Sequence, residues 1–279
     1  MINGTRFRID TDIARQAALA ARIARGQSDI ASGKRLQVAS DDPAASARIA
    51  VLRRQEIDTK TWAANADGAA SVAARADGAL AAMSIVLDRA RELVTNAASD
   101  TLNDADRAGI ATELAGLADE IDNLSAETDA GGARVFPVDG VPGVPVGKGL
   151  TLAATTTYAD AFTLSIGGGA IGIAALLRTA GGSLTAGTVA RAAALADITA
   201  ASDHISAVHG EQGVRAARID NAKDRLINVQ TGGAEERQTL EATDVSGTIA
   251  RLQGDQLALD AAQALFAKVN RRTLFDLLG

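Results

Sequence analysis

AASVAARADGALAAMSIVLDRAREL, residues 69–93, decides the fold. Within it Ala69, Val72, Ala76, Ala79, Met83, Val86, Ala90 and Leu93 alternate steps of three and four. That is a heptad sustained over more than three repeats, and it predicts a helix with a continuous apolar seam. Upstream, Asp42 followed by Pro43 is a good N-cap and first-turn pair, so the helix should start there and run towards Ala98. Downstream, Thr101 to Asp104 supplies a turn with capping residues. Ile110, Leu114, Leu117, Ile121 and Leu124 then repeat the four-three spacing. A short turn between two such helices predicts an antiparallel hairpin.

Towards the N-terminus, Ile13, Ala17, Ala20 and Ala24 step by four, three and four, widened by Leu19, Ile23 and Ile30. Asp10 to Ile30 therefore reads as an amphipathic helix. It is thin. Ordering each residue costs roughly 1–2 kcal/mol, and a fully buried Ile or Leu returns only about 1.5–3. The segment should be marginal until something covers it. Ser32-Gly33 interrupts the pattern, and Ser32 to Pro43 reads as a connector.

The second half mirrors the first. Helix should resume after Thr188, with Ile198, Ile205, Gln212, Ile219 and Leu226 seven apart. Gly232-Gly233 reads as a break or bend. A last helix carries Val245, Leu252, Leu259 and Phe266, again seven apart, with Val269 beyond, and the chain ends LFDLLG from Leu274, including Phe275 and Leu278. An end this apolar marks either docking onto its own chain or burial against another molecule, and the second is favoured.

Glycine and proline gather between the helical halves. Thirteen of 27 glycines and three of four prolines lie between Gly131 and Gly187, about a fifth of the length, with only five charged residues. Val138 to Gly149 reads as a loop, Leu150 to Tyr158 as a strand, and Phe162 to Ile166, alternating with period two, as another. The expected fold is mainly α. Both chain ends form a long antiparallel coiled-coil hairpin or bundle, and a small β-containing domain is inserted in the middle. The expected divisions are 1–40 and 239–279 as terminal helices, 41–130 and 188–238 as the helical body, and 131–187 as the insert.

Composition narrows the function. Hydrophobic residues make up 47%, much of it alanine, and aromatics only 3%, so close helix seams are expected and no thick core. The net charge of −6 argues against nucleic acid, which needs a basic face. The absence of cysteine removes disulfides and thiol chemistry. The start MINGTRFRIDTDIARQ has no apolar core of a cleavable signal, and no run of eighteen apolar residues predicts a membrane span.

Several patterns resemble chemistry and fall short of it. Gly167, Gly169 and Gly172 spell G-x-G-x-x-G, but the next acid, Asp197, lies in a helical pattern and not at the end of a second strand. Gly147-Lys148 is followed by Gly149 where a phosphate loop needs Ser or Thr. His204 and His209, five apart, differ by roughly 140° around a helix and cannot share a metal. Asp104 and Asp106 start a calcium-like pattern that Ala108 breaks. No catalytic, metal or cofactor residues are expected, and the chain is not expected to be an enzyme.

Ser-Gly-Lys-Arg-Leu (Ser32 to Leu36), Ser-Asp-Asp-Pro (Ser40 to Pro43) and Phe266-Ala267-Lys268-Val269 with Leu274-Phe275 resemble the bacterial flagellin superfamily. Within it they are most similar to the hook-associated proteins of the hook–filament junction. Leu87 to Leu93 looks closer to flagellin itself, and Arg134 to Pro137 lacks the family's usual Phe-x-Gly. The resemblance covers about residues 5–136 and 190–278.

It implies a structural subunit of an extracellular bacterial flagellum, exported without a cleaved signal. Its terminal helices would pack as a coiled coil against neighbouring copies. The implied partners are like subunits in a ring, a neighbouring hook-associated protein, flagellin and an export chaperone, with no nucleic acid and no membrane. The subunit contacts would fall on Ile13, Leu19, Ile23, Ile30, Val245, Leu252, Leu259, Phe266, Val269, Leu274, Phe275 and Leu278. By position, Arg89, Leu93 and Glu113 match the residues that an innate immune receptor contacts in flagellins. A filament flagellin, or an unrelated helical binding module with a pocket in the insert, are the other readings.

Overall fold

The computed structural model describes residues 2–99 and 101–275, with side-chain surroundings for 7–99 and 101–268. The described residues form seven helices and four short strands, divided into two compact units. Unit 1 takes 1–56 and 231–279, and unit 2 takes 57–230.

Unit 1 pairs the two ends of the chain. Helix α1 (Ile2–Ser32) and helix α7 (Val245–Phe275) run antiparallel, with Arg22 bound to Asp255 at 2.6 Å and Gly26 packed on Leu252. Gly33, at φ 66, ends α1 in the left-handed region that glycine adopts without strain. The connector is stitched to the chain beyond helix α6 (Thr188–Glu241). Arg35 N–H donates to Glu241 O at 2.8 Å and Thr243 N–H to Gly33 O at 3.1 Å. Asp42 then accepts from Ala45 N–H at 3.0 Å and caps helix α2 (Pro43–Ala97), as the Asp-Pro pair predicts.

Unit 2 holds the thick packing. Helix α3 (Asp104–Ser125) opens on a capping box of Asn103 and Asp106. Strands β1 (Gly143–Gly147) and β2 (Leu150–Ala153) pair antiparallel, as do β3 (Thr163–Ile166) and β4 (Gly169–Gly172) around short helix α4 (Tyr158–Phe162). Helix α5 (Ile173–Ser183) follows. Leu80, Met83 and Leu87 of α2, Leu114 and Ile121 of α3, Leu177 of α5, and Ile198 and Ile205 of α6 share one core with Phe136 and Phe162. Those two rings meet edge to face at 4.7 Å. Each fully buried side chain of this size contributes about 1.5–3 kcal/mol. Gln212, the polar member of the α6 heptad, is fully buried. Its amide donates to Ala73 O at 3.3 Å and Ala154 O at 2.8 Å, tying α2 to the chain beyond β2.

The α2, α3 and α6 seams match the spacing, and four readings change. Val138 to Gly149 is not all loop: β1 lies within it, and Val146 packs on Ala66, Ala222 and Leu226, with Trp62 against the same cluster. The alanine-rich stretch after Gly172 is helix α5. Gly181 lets it approach α3 so closely that a Cβ there would lie 3.3 Å from Ala111 O. Gly232-Gly233 does not interrupt α6. Each glycine costs about 1 kcal/mol against alanine, but stopping there would orphan four carbonyls. Arg48 of α2 grips Glu236 just beyond, at 2.6 and 2.8 Å. Finally, α2 carries an eighteen-residue window of mean hydropathy 1.4, long and apolar enough to cross a membrane by length and composition. The reason is its alanine content, and its Ala69–Leu93 seam is spent inside unit 2.

Candidate subunit interface

α1 and α7 each bury one apolar face within unit 1 and leave further apolar side chains exposed. On α1 the half-buried positions include Ile9, Asp12, Gln16, Leu19, Ile23, Gly26 and Ile30, a three-four repeat. On α7 they are Leu252, Asp255, Leu259, Ala262 and Phe266, with Thr248 buried. The row Ile13, Ala17, Ala20 and Ala24, which the spacing put on the seam, faces away from it and is exposed. Both rows have helical period, so period alone could not choose between them. Leu19 and Ile23 outweigh alanine in buried area and win the inner face.

Of the residues expected at subunit contacts, Leu19, Ile23, Ile30, Leu252, Leu259 and Phe266 lie half-buried in unit 1, while Ile13 and Val245 are exposed. Val269, Leu274, Phe275 and Leu278 fall outside the residues whose side chains are described. The outward face of α7 holds residues the sequence reading missed. Ile249, Leu257 and Leu265 are eight apart, and Leu257 and Leu265 are 73% and 63% exposed. Each step of eight turns about 80° around the helix, so the three spread over the sides that α1 leaves open, and no heptad search aligns them. Phe7 adds an exposed ring on α1.

The connector beside these helices is held by charge. Asp41 accepts from the backbone N–H of Val38 and of Gln37, each at 3.1 Å, and pairs with Arg25. Those two backbone bonds and the Arg25 guanidinium hold its carboxyl below the usual range, the Val38 bond most strongly. The Ala45 N–H bond lowers Asp42 in the same sense, with Arg35 helping. Lys34 at 3.0 Å lowers Glu241, and Arg48 lowers Glu236. A groove lined by Leu36, Val38, Ile49 and Arg53 opens between connector and α2.

The patterns resembling cofactor sites have structural positions. Gly167 and Gly168, at φ 61 and 85, are the hairpin turn between β3 and β4, and Gly169 and Gly172 are strand residues. Gly147 to Leu150 is the turn between β1 and β2. His204 Nε2 meets Asp160 O at 3.1 Å and His209 Nε2 meets Asp77 at 3.0 Å, so the two imidazoles serve different partners. Arg89 clasps Glu113 at 2.7 and 2.9 Å, and Leu93 is buried in the unit 2 core.

Comparison with known proteins adds the relatives. Residues 14–138 match the bacterial flagellin N-terminal helical region. A flagellin of Shigella flexneri is 34% identical over 237 residues, 83% of this chain and 39% of that protein. Flagellar hook-associated protein 3 of Salmonella typhimurium is 31% identical over 107 residues, 38% of this chain and 34% of that one. The chain thus spans less than two-fifths of the curated relatives it matches. The flagellar junction protein FlgL of Legionella pneumophila superposes with a TM-score of 0.56 at 14% identity, covering 70% of this chain and 100% of that one. At that identity the likeness concerns the fold.

Proposed function

We propose that this chain, whose residues 14–138 match the bacterial flagellin N-terminal helical region, is a flagellin-superfamily protein and a structural subunit joining hook to filament in the bacterial flagellum. The observation that carries the reading is unit 1 itself. Its two helices use one apolar face on each other and leave Ile13, Ile249, Leu257 and Leu265 in water. Exposed apolar side chains on both terminal helices suit burial against another molecule. Neighbouring copies would cover it, so the terminal helices reach full burial only on assembly. Such a subunit works by packing and carries out no reaction. Its partners would be like copies in a ring, an adjoining hook-associated protein and flagellin, with a chaperone holding the apolar ends before export to the cell exterior.

A filament flagellin is the second reading. The match to the Shigella flexneri flagellin over 83% of the chain favours it. The connector Ser40-Asp41-Asp42-Pro43 and the ending from Phe266 favour the junction. Immunogold electron microscopy separates the two. Label confined to one ring at the hook tip is the expected result, and label along the filament establishes the flagellin reading instead.

A further inference from the structure

Unit 2 carries its charge unevenly. α3 bears six acids and one base, Arg107. Arg107 is buried and donates to Ala97 O and Ser99 O, so the exposed face of α3 is acidic throughout. Arg89 and Arg178 reach over from neighbouring helices to Glu113, Asp119 and Asp122, while Glu120 has no ion pair among the described residues. α6 as a whole holds eight acids and six bases, but two of its arginines stand exposed along one groove. Arg218 and Arg225, seven apart, line a groove of ≈ 340 Å³ beside Leu152, with Asn221 and Asn228 repeating the interval. Neither arginine forms an ion pair among the described residues. Asp224 also lines the groove, next to Lys223, which is engaged by Asp67 at 2.9 Å.

We propose that this groove receives the acidic α3 face of a second copy of the chain. The inference rests on the assembly reading and specifies one contact within it. Seven helical residues span roughly 10.5 Å. Both Arg89 bonds fall on Oε1 of Glu113, which leaves its Oε2 open. That oxygen and the Glu120 carboxylate stand seven residues apart, as do Arg218 and Arg225, and two helices lying side by side present carboxylates and guanidiniums at one repeat. The arginine fork suits carboxylates, and the interleaved asparagine amides can donate to them as well. Neither arginine pairs with α3 of its own chain, which leaves both guanidiniums available to another molecule. Copies of net charge −6 repel when packed together. Setting the basic groove of one against the acidic helix of the next turns that repulsion into an orienting attraction, which fixes register more than affinity.

The chain has no cysteine, which makes the contact testable directly. One population carries Glu120→Cys and another Arg225→Cys, both are produced in the same cells, and isolated flagella are mildly oxidised. A disulfide dimer is expected from the mixture and from neither variant alone. Adding Arg218→Glu to the second variant should lower its yield about tenfold. If both variants are incorporated and the mixture gives no dimer, or each alone dimerises equally, the contact is wrong and the assembly reading stands. If even the unsubstituted chain is missing from flagella, the assembly reading fails and takes this contact with it.

Discussion

Along α6, Ile198, Ile205, Gln212, Ile219 and Leu226 fall seven apart and all are buried; along α7, Val245, Leu252, Leu259 and Phe266 fall seven apart and none is. The period is the same and the surroundings differ. α6 shares its core with α2, α3, α5 and the hairpins. α7 has α1 along one side and water along the other. A heptad fixes which residues line up on a helix. Whether that line is covered depends on what else the chain, or another chain, brings to it.

The largest expected effect tests this contrast directly. Ile205→Ala should cost about 2–5 kcal/mol in urea unfolding followed by circular dichroism, because it leaves a cavity in a closed core. Leu257→Ala with Leu265→Ala should shift the unfolding of the isolated chain by less than about 0.5 kcal/mol. The same pair should abolish incorporation into flagella. If the double variant unfolds as readily as Ile205→Ala, α7 is covered within its own chain and the contrast collapses.

Two glycines sharpen the contrast at smaller scale. At Gly181 an added Cβ would lie 3.3 Å from Ala111 O and 3.4 Å from its Cα, which are backbone atoms that cannot step aside. Gly181→Ala should destabilise unit 2 by about 1–3 kcal/mol, since overpacking outweighs the helix preference of alanine. At Gly26 the near atom is Leu252 Cδ1, also at 3.3 Å, the end of a flexible side chain in a half-open seam. Gly26→Ala should be neutral or stabilising by up to about 1 kcal/mol. Thermal unfolding of the two variants side by side decides it, and equal losses would mean that unit 1 is packed as tightly as unit 2.

These contrasts also show what the sequence could and could not convey. The α2, α3 and α6 seams were legible because mostly apolar residues, alanine among them on α2, hold the heptad spacing over long runs and are covered within unit 2. The connector was legible through Asp42-Pro43, whose capping role is local. β1 was not, because Gly143, Pro145 and Gly147 look like loop, and the ladder to β2, with Val144 and Val146 against the Trp62 cluster, makes a strand of them. α5 was hidden for a similar reason: Gly181 and Gly182 argue against helix locally, and a close approach to Ala111 overrides them. On α1 the choice of inner face was a competition between two helical rows, settled by α7 more than two hundred residues away. On α7 the seven-residue spacing picked out Leu252, Leu259 and Phe266, which the structure turns towards α1 of the same chain, and it passed over the exposed Leu257 and Leu265.

The smallest effect concerns pH, and it separates the units again. Asp41, Asp42, Glu236 and Glu241 are held below their ordinary range, and all four sit in unit 1. A carboxylate with a lowered folded value stabilises the fold above its unfolded value and loses that contribution as pH falls through the folded one. The window therefore opens near pH 4 and extends below it. Arg25, Lys34, Arg35 and Arg48 stay charged throughout, so acid leaves them facing neutral partners. Hydrogen exchange at pH 3 should show protection falling across 33–45 and 236–245 while the Ile198–Ile219 stretch of α6 holds. These pairs are exposed, so salt should weaken the same segments at neutral pH. Equal loosening of the α6 core at pH 3 would mean that the connector carboxylates are not what distinguishes the two regions.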